Sequence, residues 1–179
     1  MNLFWQLNLN FNKKLPLILQ TESTECGLAC IAMIASYFGH HISLVQMREK
    51  FPVSLKCINL RGIIKIANEM GLGSRAIRTD LAGLHKLKLP CILHWGFTHF
   101  VILKKITNKH VEIYDPARGI IKIDNPELSQ QFTGVALELW PKSDFIAKKR
   151  TSDIKLNKLL GPIKGLSYSL STIIALSSK

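Results

Sequence analysis

The hydrophobic positions of the chain change their spacing at Pro90. Before this residue, apolar side chains form one long run and then recur at helical spacing. After it, they form short runs of β-branched and aromatic residues separated by turn-forming residues. Long periodic segments are typical of helices and short bounded runs are typical of strands. The pattern therefore predicts helices in the first part of the chain and a sheet in the second.

The predicted helices are marked by capping and stop residues. Residues 26–38 are almost wholly apolar and end at Gly39, which predicts a buried central helix with a glycine C-cap. The other predicted helices are residues 44–51 after Ser43 and before Pro52, residues 60–70 after Asn59 and before Gly71, and a short helix from Asp80 to Leu87.

Five strands are predicted after Pro90. They are residues 91–95, 99–106, 110–114, 120–123 and 135–140, with one more helical turn starting at Asn125-Pro126-Glu127. Helices followed by a meandering antiparallel sheet give an α+β layout with the helices packed on the sheet.

Composition and charge place the chain among globular proteins with an uneven basic excess. Of 179 residues, 47% are hydrophobic and 20% charged, which is not a disordered composition. The net charge is +12, and residues 142–179 alone carry eight Lys or Arg against two Asp. A basic segment leading into an apolar one fits the cytoplasmic flank of a membrane span. The alternative is nucleic-acid binding, but the basic residues do not interleave with aromatic ones, so we expect no nucleic-acid partner.

These shifts in composition divide the chain into four segments. Residues 1–11 are expected to form an N-terminal arm and not a secretory signal, because Lys13 and Lys14 follow the apolar residues instead of preceding them. We expect residues 12–141 to form one domain, residues 142–158 a basic linker, and residues 159–179 an amphipathic segment before an incomplete first transmembrane helix. That last segment lacks the roughly 18–20 continuous apolar residues that a span needs.

The candidate chemistry begins with Gln20 and Cys26. Cys26 opens the central helix, where free backbone N–H groups and the helix dipole favour a thiolate. A glutamine just before such a cysteine can donate to the oxyanion that forms when a thiolate attacks a carbonyl. The other cysteines, Cys30, Cys57 and Cys91, fit buried apolar positions, and four irregularly spaced cysteines make no disulfide framework. A reducing cytoplasm is therefore expected.

A base and an orienting carboxylate follow later in the chain. His99 begins an alternating strand and is favoured as general base over His94, which lies on the preceding strand. Asp115 follows the strand at 110–114, and a hairpin would return it to the His99 imidazole. An aspartate before proline is often only a turn residue, so Asp115 alone is a weak signal. The order Cys, His, Asp suits a nucleophile on a helix and a base on a sheet.

A zinc site is the competing interpretation of the same residues. Cys26 and Cys30, and His94 and His99, fall within loose zinc-ligand spacings. However, both cysteines lie within one apolar helix, and the two pairs are far apart in the chain. We expect no metal and no cofactor.

Three stretches of sequence resemble a known family. They are Gln20-Thr-Glu-Ser-Thr-Glu-Cys26-Gly-Leu-Ala-Cys30, Pro90-Cys-Ile-Leu-His-Trp-Gly-Phe-Thr-His99-Phe, and Tyr114-Asp115-Pro116. Together they resemble the C39 peptidase domain of bacteriocin-exporting ABC transporters, from about Leu15 to about Pro141, and look most like exporters of colicin V-type microcins. The resemblance implies a papain-like cysteine peptidase that cleaves double-glycine leader peptides from bacteriocin or microcin precursors.

The resemblance also implies roles and partners. It gives Cys26 as nucleophile, His99 as base, Asp115 as the orienting acid and Gln20 as the oxyanion donor. A narrow slot for glycine is expected, with Trp95 and Gly96 at its wall. The implied partners are the leader peptide, the inner membrane on its cytoplasmic face, and the membrane and nucleotide-binding domains of an exporter, in which the domain would be part of a dimer.

The chain departs from this family after the end of the peptidase domain. Neither a membrane domain nor a GxxxxGK[ST] phosphate loop occurs in the sequence, so we expect no ATP hydrolysis or transport by this chain alone. Two alternatives to a peptidase are a docking domain that has lost its cysteine and a truncated, idle remnant. The presence of Cys26, Gln20, His99 and Asp115 argues against the first and leaves the second open.

Overall fold

The computed structural model describes residues 14–51 and 58–148, which form helices and one sheet. The helices are α1 (Cys26–Tyr37), α2 (Leu44–Lys50), α3 (Leu60–Glu69) and α4 (Asn125–Gln131), with short 3-10 helices at Ser23–Glu25 and Ala82–Lys86. The strands are β1 (Leu72–Arg78), β2 (Cys91–Trp95), β3 (His99–Ile106), β4 (Val111–Asp115), β5 (Gly119–Ile123) and β6 (Phe132–Pro141). All paired strands are antiparallel, in the order β1-β6-β2-β3-β4-β5. The α+β class is confirmed.

The sequence pattern missed β1 and the position of β6. Strand β1 lies at the sheet edge and pairs only with β6, and none of its positions after Gly73 is buried. It therefore lacks the alternation by which strands are recognised. The meander expected from the sequence holds for β2 to β5. Strand β6, however, returns across the sheet to lie between β1 and β2. The expectation of a simple meander is therefore wrong for the last strand.

Local signals located the helix starts correctly. The Ser43 hydroxyl accepts from the backbone N–H of Gln46, and the Asn59 side chain accepts from that of Gly62 at 2.9 Å. Each contact satisfies an N–H that the first helical turn leaves without a partner. The predicted short helix near Asp80 is a 3-10 helix, and the Asp80 carboxylate accepts from the backbone of Gly83 at 2.8 Å.

Helix α1 is enclosed by the rest of the fold. Its residues from Cys26 to Ser36 are all buried, and it packs on β3 and between α2 and α3. Because side chains alternate along a strand, Ile92 and Ile102 face α1 while Leu93 and Val101 lie in a second apolar cluster on the other face. The sheet thus has two apolar faces, and α1 is fixed along its length against one of them.

Residues 142–148, assigned from the sequence to the linker, lie against the domain. The backbone of Lys142 donates to the Gly71 carbonyl, and that of Lys148 donates to the Gly39 carbonyl. The His40 ring donates through Nδ1 to the Ile146 carbonyl at 2.6 Å, and Phe145 packs on the cluster that contains α1. The boundary at residue 141 stays a prediction, as do the arm at 1–11 and the segment at 159–179, which lie outside the described residues together with Cys57.

Within residues 14–51 and 58–148, the structure has no helix with both the length and the apolar character needed to cross a bilayer.

The contacts of residues 142–148 predict where a truncated domain should end. A chain ending at Lys148 should be more stable to unfolding than one ending at Pro141 by about 1–3 kcal/mol, because the shorter chain loses the Phe145 packing and several backbone hydrogen bonds. Urea unfolding of both chains measures the difference. Equal midpoints would support the boundary at residue 141.

Candidate active site

Cys26 lies at the point where the chain enters α1. It is the first residue of that helix and is only 1% exposed. The preceding turn is held by the buried carboxylate of Glu25, which accepts from the backbone N–H groups of Thr21 and Glu22 at 3.0 and 2.9 Å. Arg48 of α2 donates to both oxygens of the same carboxylate through Nε and a terminal guanidinium nitrogen. The Arg48 hydrogen bonds lower the pKa of Glu25 to about 2 against the opposing effect of burial, so the turn is fixed by a charged group.

His99 joins the thiol to a carboxylate. It is the first residue of β3, and its Nε2 lies 2.8 Å from Asp115 Oδ1 at the end of β4. A carboxylate only accepts hydrogen bonds, so Nε2 carries the proton and Nδ1 is left to face Cys26. The ring lies close enough to the Cys26 side chain for their interaction to raise the pKa of His99. The structure therefore brings Cys26, His99 and Asp115 together in the order that a thiol nucleophile requires.

Asp115 is held by three donors at the β4–β5 turn. Oδ1 accepts from His99 and from the backbone N–H of Ala117 at 2.8 Å, and Oδ2 accepts from Arg118 Nε at 2.9 Å. Burial opposes ionisation of this carboxyl, but the bonds to His99, Arg118 and Ala117 outweigh it and hold its pKa well below the usual range. Asp115 is thus a carboxylate at any pH at which the protein would work.

The protonation of His99 follows from this setting. Burial of the ring disfavours its charged form, but hydrogen bonds to Asp115 and to Cys26, with the charges of both groups, raise its pKa to about 9. Near neutral pH, the imidazolium is therefore the stable form when the thiolate and the carboxylate flank it. Such a ring can return a proton to a leaving amine.

Gln20 is tied to the same turn through the main chain. Its backbone N–H donates to the Pro116 carbonyl at 2.9 Å, one residue after Asp115. Its side-chain Oε1 is buried and has no hydrogen-bond partner among the described residues. The segment that carries Gln20 is thus fixed between the Asp115 turn on one side and the Glu25 turn on the other.

His94 is occupied elsewhere. Its Nδ1 is hydrogen-bonded to Thr133 Oγ1 at 2.8 Å, and its Nε2 donates to the Phe97 carbonyl at 3.0 Å. It therefore holds the turn before β3 in place. In the part of the chain that the structure describes, no three His, Cys, Asp or Glu side chains are grouped as a metal ion would need.

Trp95 and Gly96 lie beside His99, but the tryptophan side chain faces away from α1. The backbone of Trp95 pairs with that of His99, while its indole is 3% exposed and lies in the second apolar cluster, on the face opposite α1. Gly96 has φ +52°, and its N–H donates to the Gln131 carbonyl. Their place at a substrate slot stays a prediction, and main-chain atoms are what these residues can offer to it.

Sequence reasoning missed the charged residues that support the site. Arg48, Arg118 and Glu25 carry no motif of their own, although Glu25 directly precedes the cysteine and Arg118 follows Asp115 by three residues. It also missed Phe97, which is 80% exposed with φ +65° in the turn before His99. A positive φ costs a bulky residue energy and is therefore unusual. The one signal that could have found Glu25 is its place next to the candidate nucleophile, at the start of a wholly apolar helix.

The sequence matches the peptidase C39 family over residues 14–144. The chain is 44% identical over 172 residues to the probable microcin-H47 secretion/processing ATP-binding protein MchF of Escherichia coli, and 44% identical over 171 residues to the colicin V secretion/processing ATP-binding protein CvaB of the same species. Each match covers 96% of this chain but only 25% and 24% of the relative. The chain thus spans about a quarter of the length of these curated relatives.

Solved structures share the fold. A double glycine motif protease from an AMS/PCAT transporter, crystallised with the leader peptide, is 38% identical and has a TM-score of 0.68, with 73% of this chain and 94% of that chain covered. The peptidase domain of Streptococcus ComA has a TM-score of 0.66 at 24% identity, covering 72% of this chain and 100% of that one, and it supports the fold alone. With the match over residues 14–144, these findings establish that the chain belongs to the peptidase C39 family and is a cysteine peptidase domain.

Proposed function

We propose that Cys26, His99, Asp115 and Gln20 are the catalytic residues of this peptidase. The observation that carries the proposal is the His99 ring, which bonds Asp115 at 2.8 Å and interacts with Cys26 at the start of α1. A thiol, a base and an orienting acid in one contact chain have the arrangement of an activated nucleophile.

The proposed reaction has two halves, acylation of Cys26 and hydrolysis of the acyl-enzyme. His99 Nδ1 accepts the thiol proton, and the Cys26 thiolate attacks the scissile carbonyl. The Gln20 amide and the Cys26 backbone N–H donate to the oxyanion. His99 then protonates the leaving amine, and in the second half it deprotonates the water that hydrolyses the acyl-enzyme. Asp115 keeps the ring oriented through Nε2 and remains ionised throughout.

The substrate proposed for this reaction is a leader peptide cut after Gly-Gly. The double glycine motif protease that is 38% identical to this chain supports it. So does the burial of Cys26, which leaves a narrow approach to the sulfur. A glycine lacks a Cβ and can bring its carbonyl to the thiolate where a larger residue cannot. The proposed preference for glycine therefore rests on steric exclusion of larger residues from the approach to Cys26.

We place the binding site for the rest of the leader at a cavity near the other end of α1. The cavity has a volume of about 430 Å³, and its apolar lining residues are Pro16, Leu17, Ile18, Ile42 and Leu44. Ser36 also lines it, and ten residues of helix separate Ser36 from Cys26, or about 15 Å. A helical leader segment of about ten residues would span that distance, with its apolar face on the cavity.

The domain is further proposed to act within an exporter at the cytoplasmic face of a bacterial inner membrane. Its relatives are secretion/processing ATP-binding proteins about four times its length. Membrane and nucleotide-binding domains would then work with this chain, and the domain would be present twice in a dimeric transporter. Export would follow cleavage of the leader.

Catalysis by Cys26 predicts a strict loss of function in one variant. Cys26→Ala should abolish cleavage of a synthetic double-glycine leader peptide, because no other side chain can form the acyl-enzyme. Cys91→Ala is the matched control, since Cys91 is buried in the second cluster away from the site. The measurement is product formation by mass spectrometry, with circular dichroism to confirm folding. Comparable cutting by the Cys26 variant would disprove the proposed nucleophile.

The same assay examines the oxyanion donor. Gln20→Ala should lower kcat by about 10²–10³ with little change in KM, as expected when a donor to the transition state is lost. Wild-type turnover in this variant would mean that the oxyanion is stabilised elsewhere.

The second glycine of the leader and the apolar cavity of the domain should affect different kinetic constants. Replacing the second glycine of the leader by valine should reduce kcat/KM by roughly 10²-fold or more, because the added methyl groups block the approach to Cys26. A substrate with valine that is cut as fast as one with glycine would contradict the exclusion argument.

A substitution in the lining of the cavity should weaken leader binding and leave the chemical step unaffected. Leu17→Glu should raise KM severalfold and leave kcat nearly unchanged, since Leu17 lies in the cavity lining and is not part of the catalytic contacts. Leu89→Glu is the control, because Leu89 is similarly exposed but lies two residues before the start of β2, whereas His99 pairs with Trp95 at the other end of that strand. Equal KM values for both variants would remove the cavity from leader binding.

The proposed location predicts a fractionation result. In the producing bacterium, an antibody against this domain should detect its epitope in the inner-membrane fraction, on the face accessible to protease only after the membrane is opened. Recovery from the soluble cytoplasm alone would argue against the exporter context.

A further inference from the structure

Arg118 contacts the active-site carboxylate from the side opposite His99. Its Nε donates to Asp115 Oδ2 at 2.9 Å, and its side chain is 52% exposed at the β4–β5 turn. The turn itself is closed by the main chain, with the Arg118 N–H donating to the Asp115 carbonyl at 3.3 Å. The side-chain contact is therefore additional to what the hairpin needs in order to form.

The contact divides the two carboxylate oxygens between different tasks. Oδ1 takes the His99 Nε2 and the Ala117 N–H, while Oδ2 takes only Arg118 among the hydrogen bonds of the described residues. A carboxylate with donors on one oxygen only can rotate about its terminal torsion, which is broad. Arg118 on Oδ2 removes that freedom and keeps Oδ1 directed at the imidazole.

The contact also sets the charge that His99 meets. The ionisable groups that face the ring are Cys26 on α1 and Asp115 on β4. Cys30, one turn along α1, is fully buried and donates to the Phe100 carbonyl, and its pKa is raised above the usual range by burial.

The remaining charged or titratable neighbours are bound to other partners. His94 on β2 is hydrogen-bonded to Thr133 and to the Phe97 carbonyl, and Glu25 is paired with Arg48. Arg118 is thus the cation in contact with the Asp115 carboxylate across from the ring, and it reduces the net negative charge there.

A reduced negative charge at Asp115 matters for the proton transfers of the proposed reaction. A carboxylate with full charge would hold the imidazolium proton tightly, and a tightly held proton is transferred slowly to a leaving amine. A carboxylate free to rotate would hold the ring poorly. A guanidinium on Oδ2 improves orientation and limits charge at the same time.

We propose that Arg118 is a positioning residue that acts through Asp115, fixing the carboxylate against His99 and limiting the negative charge that the imidazole meets. The proposal rests on the proposed catalytic roles of Cys26, His99 and Asp115.

The test is the pH dependence of kcat/KM for leader cleavage by the full chain and by three variants. In the wild type, activity should fall as pH rises through about 9, where His99 loses its proton. Arg118→Gln should lower kcat about tenfold through loss of orientation, and should move this alkaline limb upward by roughly 0.5–1 pH unit because the unscreened carboxylate holds the proton longer. Arg118→Lys keeps the charge, so its limb should stay near the wild-type position.

Arg75→Gln is the matched control. Arg75 makes a similar bond, 2.8 Å, to the buried Glu138 on the β1–β6 edge of the sheet, so its loss should leave both kcat and the limb unchanged. An Arg118→Gln profile identical to the wild type, or a lower kcat with an unmoved limb, would overturn the proposal. If Arg118→Gln fails to fold, as judged by its thermal melt, Arg118→Lys decides: it must combine a lower kcat with a limb at the wild-type pH, and a wild-type kcat overturns the proposal.

The outcomes also separate this inference from the proposed function. Cleavage by Cys26→Ala would remove the proposed function itself. An inactive Cys26→Ala variant together with an Arg118→Gln variant indistinguishable from wild type would remove only the role of Arg118.

Discussion

The burial of α1 against the sheet is the constraint on which the active site depends. Eleven consecutive residues of this helix, from Cys26 to Ser36, are buried, and interior packing leaves no free volume through which a helix could shift. The position of its first residue is consequently fixed relative to β3. Cys26 is thus placed by the hydrophobic core, and His99 at the start of β3 is placed by the same contacts.

Two buried carboxylates then fix the loops around Cys26. Glu25 gathers the turn before Cys26 and is bound by Arg48, and Asp115 gathers the β4–β5 turn and is bound by Arg118. Burying a carboxylate without a partner costs free energy, and each arginine offsets that cost by pairing with the carboxylate. The same pairing makes the loop rigid. The Glu25–Arg48 pair supports the turn before the Cys26 thiol, and the Asp115–Arg118 pair supports the carboxylate that contacts the His99 imidazole. The backbone bond from Gln20 to Pro116 connects the two loops.

The proposed roles would separate chemistry from recognition along one helix. Cys26 lies at the N-terminal end of α1, and Ser36, which lines the apolar cavity, lies toward its C-terminal end. A site in which the sulfur atom is nearly buried can select glycine by sterically excluding larger residues. An apolar cavity can bind leaders that share a pattern of apolar residues without sharing a sequence. Under that proposal, one peptidase domain would accept variable leaders and still cut at one bond.

The elements that depend on neighbouring residues could be predicted from the sequence, and those that depend on distant segments could not. The α1 run, the caps at Ser43 and Asn59, and strands β2 to β5 could be predicted because each depends on neighbours in the chain. The candidate oxyanion donor and the nucleophile could be singled out for the same reason, since Gln20 and Cys26 are six residues apart.

What only the tertiary structure decided depends on pairing between distant segments. Strand β1 is an edge strand recognisable by its partner β6, and β6 takes its place between β1 and β2 by crossing the sheet. The sequence already favoured His99 over His94, but the partners of the two rings, Asp115 and Thr133, are visible only in the structure. The direction of the Trp95 indole likewise required the register of the sheet. Glu25 and Arg118 gain their meaning from burial and from a partner in space, because a charged residue in a sequence does not reveal what it will face once the chain has folded.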